Sequence, residues 1–287
     1  MLGNDVVDLL DVDARPETFH RRFDLRVFAA EERRAIAGDA RPHALRWAHW
    51  GAKEAAYKLA RQLDPKFVFS PARLVARFEP ALALGAGLAH GSEVSPRTQV
   101  SFERRGRLEL ASGPPGRVPA IALKSFETPE SVHVVALVAG SDWGAVVMAA
   151  EPLSMHSEAM HSETMHSEVD PSPDASLAVR RLALREIARA LGVEAGRLAI
   201  GRQGRIPTVE FDGRTAEFGL SLSHHGRFVA FAFSPRSRGL TRERGDGGGR
   251  GERAERGDSI ERAEGVGQVD WAVGCPVGAA DTAWMVG

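Results

Sequence analysis

The sequence predicts an α+β protein made of two pseudo-repeated halves, each a helix packed on a small antiparallel sheet. Three observations predict it. Trp47–Lys58 and Leu177–Leu191 carry apolar residues at helical spacing, and short alternating β-rich segments follow each of them. A Gly-Arg-aliphatic-Pro element also occurs once per half, at Gly116–Pro119 and Gly204–Pro207. The expected boundaries are residues 1–151 for the first half, 152–174 for a low-complexity linker, 175–235 for the second half and 236–287 for a disordered tail.

The chain opens with Gly3-Asn-Asp-Val-Val-Asp-Leu9, a β-branched run expected to form a strand, with Asp5 inside it although strands disfavour Asp. In the helix, ~100° per residue places Glu54 on one arc with Trp47, Trp50, Gly51, Tyr57 and Lys58. An ionised carboxylate on such an apolar arc needs a positive partner, and Lys58, Lys53 or a metal ion are the candidates. An ordinary amphipathic helix with a Glu-Lys pair four apart is the plainer alternative. Two carboxylates, Asp5 and Glu54, on adjoining elements suffice for Mg²⁺, which takes its remaining ligands from water and substrate phosphates.

Strands are expected at Ala72–Phe78, Gln99–Phe102, Val118–Lys124 and Val132–Val138. Residues 155–169 then read MHSEAMHSETMHSEV, whose histidines stand roughly 140° apart on a helix and do not converge on a metal. Gly192 ends the second helix. Short strands are expected at Leu198–Ile200, Thr208–Phe211, Phe218–Leu222 and Phe228–Phe233. From Pro235 to Glu264 the chain is a polyampholyte without apolar period, disordered by composition.

Ala52–Leu59 lies over Leu184–Leu191 in sequence, aligning Glu54 with Glu186, and the two Gly-Arg-aliphatic-Pro elements follow in the same order. Glu186 has no Gly-x-Asp strand ahead of it and is expected to be structural. In the second half, Ser223-His224 before a turn at Gly226 offers a hydroxyl, an imidazole and Arg227 at one sheet rim, which suits a phosphate. A hairpin whose polar turn merely faces water is the alternative.

Composition bounds the partners. The 37 Lys and Arg nearly balance 38 Asp and Glu, so the basic footprint of general nucleic-acid binding is missing. A single cysteine, Cys275, leaves no internal disulfide framework. Neither a signal peptide nor an apolar run of membrane-spanning length is visible, so a cytoplasmic protein is expected.

Gly3-x-Asp5 followed by Trp50-x-x-Lys53-Glu54-Ala55-x-x-Lys58 resembles the two signature motifs of the 4′-phosphopantetheinyl transferase superfamily, in the order found in holo-acyl-carrier-protein synthases. Val27–Arg33 looks like the helix start that precedes the second motif there. Ser223-His224 and the upstream Gly204-Arg205-Ile206-Pro207 resemble the surfactin-synthetase-activating type. Asn4 departs from the aliphatic residue usual in Gly-x-Asp, and Val7 stands where surfactin-type enzymes place a second acid. Asp8 follows, on the opposite face of the strand from Asp5.

The resemblance implies a fused, holo-synthase-like protein with its active site between the halves. It implies Mg²⁺-dependent transfer of 4′-phosphopantetheine from coenzyme A to a serine of an apo acyl or peptidyl carrier protein, releasing adenosine 3′,5′-bisphosphate. On that resemblance Asp5 and Glu54 hold the metal, and Glu54, Lys58 and Lys53 are catalytic. Ser223, His224, Arg205 and Arg227 hold the coenzyme. The base that takes the serine proton is Glu54, a metal-bound water or Lys53. A monomer is plausible through the duplication. A non-catalytic coenzyme-A or carrier-protein binding module is the alternative, and a phosphohydrolase using the same carboxylates is a third reading.

Overall fold

A computed structural model describes residues 1–18, 22–84, 101–110, 119–153 and 172–235. The MHSE repeat at 155–169, the tail from 236 with Cys275, and Gly116–Val118 lie outside the described residues. The described residues belong to one compact unit.

The β-branched opening forms β1 (Leu2–Asp8). Two 3-10 turns lead on to α1 (Phe23–Val27), then α2 (Ala30–Gly38) and α3 (Pro42–Leu63). Pro42 sits in the first turn of α3, where a missing N–H costs nothing. The helix stops ahead of Asp64-Pro65, since a residue before proline avoids the α region. A 3-10 turn at Pro71–Arg73 replaces the start of the strand expected over Ala72–Phe78, leaving β2 (Leu74–Phe78). Next come β3 (Leu82–Leu84), β4 (Ser101–Leu110), β5 (Ile121–Glu127) and β6 (Ser131–Val138). They form an antiparallel sheet of order β1-β6-β5-β4-β2, with β3 on β4.

The second half contributes β7 (Val147–Pro152), α4 (Ser172–Leu191), β8 (Leu198–Gln203) and β9 (Ile206–Phe211). β10 (Arg214–Ala216), β11 (Gly219–His225) and β12 (Phe228–Ser234) complete it. One sheet has order β11-β12-β7 and another β10-β9-β8. Gly192, at φ 65°, closes α4 with Gly192 N–H to Arg189 O and Val193 N–H to Ala188 O at 3.3 and 3.0 Å, the hydrogen bonds of a Schellman cap.

The boundary expected at 151 is displaced, because β7 pairs with β12 along Val147–Pro152 and so belongs to the second half's sheet. Its sequence lacks alternation, and its partner lies beyond the linker, so no local pattern announces it.

Four layers result. α3 packs through Ala48, Ala52, Ala55 and Leu59 on one face of the first sheet, against Val7, Val132, Val134 and Leu123. The other face, with Leu2, Val6, Val135 and Leu137, meets Ala230 and Ala232 of β12. On the far side of β12, Phe231 and Phe233 pack under Val179, Leu182, Ala183 and Ile187 of α4. Period two makes this possible: even residues of β12 face β1 and odd ones face α4.

The two halves share an order, β1-α3-β2-β4-β5-β6 and β7-α4-β8-β9-β11-β12, with the first strand antiparallel to the last in each. Within that order the two Gly-Arg-aliphatic-Pro elements do not correspond. In sequence one comes before β5, and the other runs from the β8–β9 turn into β9, a strand that falls in the place of β4.

Candidate active site

The site begins with two glycines. A Cβ on Gly3 would lie 1.9 Å from Ala55 O, so only glycine there lets β1 approach α3 this closely, and a Cβ on Gly51 would lie 3.0 Å from Val134 Cγ2, a tight fit of α3 against β6. Odd residues of β1 face α3. Asp5 therefore points at the helix between Gly51 and Lys58, with Oδ2 3.8 Å from the Cβ position of Gly51.

Lys58 Nζ donates to Asp5 Oδ1 at 2.9 Å, to Asn4 O at 2.9 Å and to Ser223 Oγ at 3.2 Å. Ser223 Oγ in turn donates to the same Asp5 Oδ1 at 2.8 Å. Oδ2 of Asp5 has no hydrogen-bond donor among the described residues. Glu54, one turn beyond Gly51, makes no hydrogen bond or ion pair among the described residues. Its pKa is pushed up to about 7, by burial first and then by the Asp5 carboxylate, against the pull of Lys58.

Ser223 reaches Asp5 because β11 crosses the free edge of β1. The odd N–H groups of β1 face β6, and the even ones find side chains instead. Asn4 N–H donates to Ser221 Oγ at 2.9 Å, Val6 N–H to Ser223 Oγ at 3.3 Å and Asp8 N–H to His225 Nδ1 at 3.1 Å. Three alternate side chains of one strand thus satisfy an edge that would otherwise be buried unpaired. The Ser-x-Ser-x-His spacing was a legible signal for this role.

Alternation turns His224 to the opposite face from Ser223, where it is exposed. Its pKa is lowered by partial desolvation, then by Lys58 and His225. Arg205 is exposed at the tip of the β8–β9 hairpin.

Two expected site residues are engaged elsewhere. Lys53 is fully buried: Nζ donates to both Glu32 oxygens at 2.8 Å and to Pro71 O at 3.1 Å, and it also bonds Leu74 O. It faces α2 and β2, not Asp5, because one helical step of ~100° separates it from Glu54. Lys53, expected among the catalytic residues, thus lies in a buried ion pair away from Asp5. Arg227 is committed to Asp8, with Nε and its backbone N–H on Oδ2 at 2.8 and 3.0 Å and NH2 on Oδ1 at 2.9 Å. That fork pairs Arg227, expected at a coenzyme phosphate, with Asp8, whose carboxylate is thereby satisfied by hydrogen bonds.

Beneath the site, Asn4 Nδ2 lies 3.2 Å from His133 Nε2. His133 is enclosed between the sheets, and burial, helped by Lys58, takes its pKa down to about 3. The pair was not foreseen, since Asn4 was read only as a departure from an aliphatic pattern.

No group of three or more His, Cys, Asp or Glu side chains that could hold a metal occurs among the described residues. The Asp5–Glu54 pair still fits a hard divalent cation. Its ligands would be carboxylate oxygens, three of the four have no hydrogen-bond donor among the described residues, and two acidic side chains share the neighbourhood of one lysine.

The α+β fold thus brings two carboxylates and a lysine to one strand–helix corner, closed by a serine from a second sheet. Residues 1–73, which hold β1, α3 and all of that corner except Ser223, match the model of the 4′-phosphopantetheinyl transferase superfamily. The match supports phosphopantetheinyl transfer in general. No curated protein and no solved structure is matched. Among the described residues, no helix is long and apolar enough to cross a membrane.

Proposed function

We propose that this protein transfers 4′-phosphopantetheine from coenzyme A to a serine of an apo acyl or peptidyl carrier protein, releasing adenosine 3′,5′-bisphosphate. The observation that carries the reading is the Asp5–Glu54 pair, two carboxylates sharing one lysine inside the segment that matches the superfamily. We read the two halves as copies of one unit, supported by their shared order of elements.

Asp5 and Glu54 would hold Mg²⁺, which when bound supplies Lewis-acid stabilisation of charge developing on the pyrophosphate. The chain's own residues do the rest. The carrier serine oxygen attacks the phosphorus bearing the pantetheine arm, and the bond from that phosphorus to the bridging oxygen breaks. The bridging oxygen leaves with the nucleotide. Lys58 orients Asp5 and presents a positive charge to the phosphates, while Ser223 holds Asp5 from the opposite side. Glu54 lies at the same corner and is one candidate to accept the serine proton. His224 and Arg205, both exposed and basic, are placed in this reading at the nucleotide end.

The test incubates the purified protein with coenzyme A, Mg²⁺ and a panel of apo carrier proteins and reads intact mass. The expected result is addition of the phosphopantetheine group, lost on chelation. Coenzyme-A binding without addition to any carrier would replace this reading with a binding module.

A further inference from the structure

We propose that Lys53 is a positioning residue for Glu54: with Glu32 it fixes the rotation of α3, and with it the place of the Glu54 carboxylate opposite Asp5. The inference rests on the proposed function only in taking Asp5 and Glu54 as the cation site of the reaction.

Glu32 and Lys53 form a fully buried hub. Glu32 Oε2 accepts Ala29 N–H at 2.7 Å, which caps α2, and Oε1 accepts Ala76 N–H at 2.9 Å, which ties in β2. Lys53 Nζ bonds both of those oxygens and adds the carbonyls of Pro71 and Leu74. One turn earlier on the same helix face, the His49 ring stacks edge-on against Phe78 and Phe28, at 5.3 and 6.3 Å between centroids. Every polar atom of the Glu32–Lys53 pair is thus engaged with a separate element around α3.

On the other side, Gly3 brings β1 onto Ala55 of α3, and Lys58 and Gln62 bond Asn4 O and Leu2 O at 2.9 and 2.6 Å. Those two bonds hold the helix to β1 beyond Glu54, and the hub holds its opposite face at the residue before Glu54. A turn of α3 by about 20° moves an atom about 6 Å from its axis by roughly 2 Å. Displacements of that size at a reacting centre cost orders of magnitude in rate. The hub opposes that turn from the residue directly before Glu54.

The test replaces the pair by Glu32→Met/Lys53→Met, a buried ion pair exchanged for apolar side chains of similar length, which such sites commonly tolerate. Folding is followed by circular dichroism, Mg²⁺ affinity by calorimetry, and kcat and KM by the transfer assay. The expected result is a cooperatively folded protein with Mg²⁺ bound at least ten-fold more weakly and kcat down at least ten-fold. KM for coenzyme A stays within two-fold. A folded variant with the Mg²⁺ affinity and kcat of the parent overturns the inference.

Should the methionine pair not fold, Glu32→Asp/Lys53→Arg keeps both charges, and its planar fork does not reproduce the ammonium's contacts with two carbonyls. It is read by the same criteria with a three-fold threshold. A parent protein that binds Mg²⁺ without transferring overturns the function alone, and the calorimetric arm still decides the role of Lys53. A parent that does neither overturns both.

Discussion

The two long helices each turn a glutamate inward beside a basic residue, Glu186 buried and Glu54 partly so, and the two live in opposite charge environments. Glu186 of α4 accepts Arg185 and Arg189 at 2.8 and 2.7 Å, and Arg185 also pairs with Glu151 of β7. Two arginines meet two carboxylates, and the set is neutral. Glu54 of α3 faces Asp5 of β1 with Lys58 as their shared cation, so one ammonium meets two carboxylates. The same strand–helix corner is saturated in one half and left with an excess negative charge in the other. Saturation suits a structural role, and the deficit is where the proposed function puts its cation.

The largest effect that sharpens this contrast is Glu54→Gln. It should lower transfer by about 10³-fold or more, the loss of one charged group at a reacting phosphate. Stability should move the other way. A carboxyl whose folded pKa is about 7 against an ordinary 4.5 is ionised at a cost above that range, so the variant should gain about 1–2 kcal/mol at pH 8 in urea denaturation. Mg²⁺ affinity of the parent should rise with pH through about 7, as Glu54 ionises. A variant destabilised at pH 8 would place Glu54 in a satisfied ion pair like that of Glu186 and dissolve the contrast.

The next effect concerns the interface that builds the corner. His133 sits neutral between the sheets with a pKa near 3, against 6.5 when unfolded. Between those values the unfolded chain binds one proton more, so stability is full above about pH 6.5 and falls as pH drops. At pH 4 the loss from this group is about 3 kcal/mol, and His133→Gln should flatten that limb of a pH series of denaturant melts. An unchanged slope would show that the imidazole is solvated and the sheets less tightly closed.

These two histories show what the sequence carries and what it does not. Asp5, Glu54 and Lys58 were legible because an acid in a β-branched run and a carboxylate on an apolar helical arc are local signals. Most strands and the two long helices were legible for the same reason, through period, although β3, β7 and β10 were not. Lys58 lies on that arc and Lys53 about 100° to its side, yet both are basic neighbours of Glu54, and only the fold shows that Lys53 meets Glu32, 21 residues earlier, and Lys58 meets Asp5. Likewise Arg227 looked available until Asp8, 219 residues away, took its fork. β7 escaped notice because a strand buried against a distant partner needs no alternation. What failed was pairing between remote segments, where composition offers several partners of equal chemistry and tertiary packing selects one.

Arg227→Ala tests the second of those pairings. It removes a half-exposed guanidinium from a buried carboxylate that keeps the Leu10 and residue-227 backbone N–H groups, so it should cost about 1–2 kcal/mol. KM for coenzyme A should stay within two-fold. A ten-fold rise in KM with stability intact would mean that Arg227 leaves Asp8 for the substrate, and the corner would then gain a cation that the resting structure withholds.

Glu186→Gln should have the smallest effect and bears most directly on the contrast. The carboxamide still accepts one hydrogen bond, and both arginines are largely exposed, so water replaces what is lost. The expected cost is about 1 kcal/mol, read as a small fall in melting temperature, with transfer and Mg²⁺ affinity within two-fold of the parent. Arg185 keeps Glu151, which holds α4 to β7 in the variant. A loss of Mg²⁺ binding in Glu186→Gln would show that the second corner senses cations too, and that neutrality among its four side chains is no sign of a structural role. Silence in that assay, beside the collapse expected for Glu54→Gln, would tie function to the one uncompensated charge by which the two corners differ.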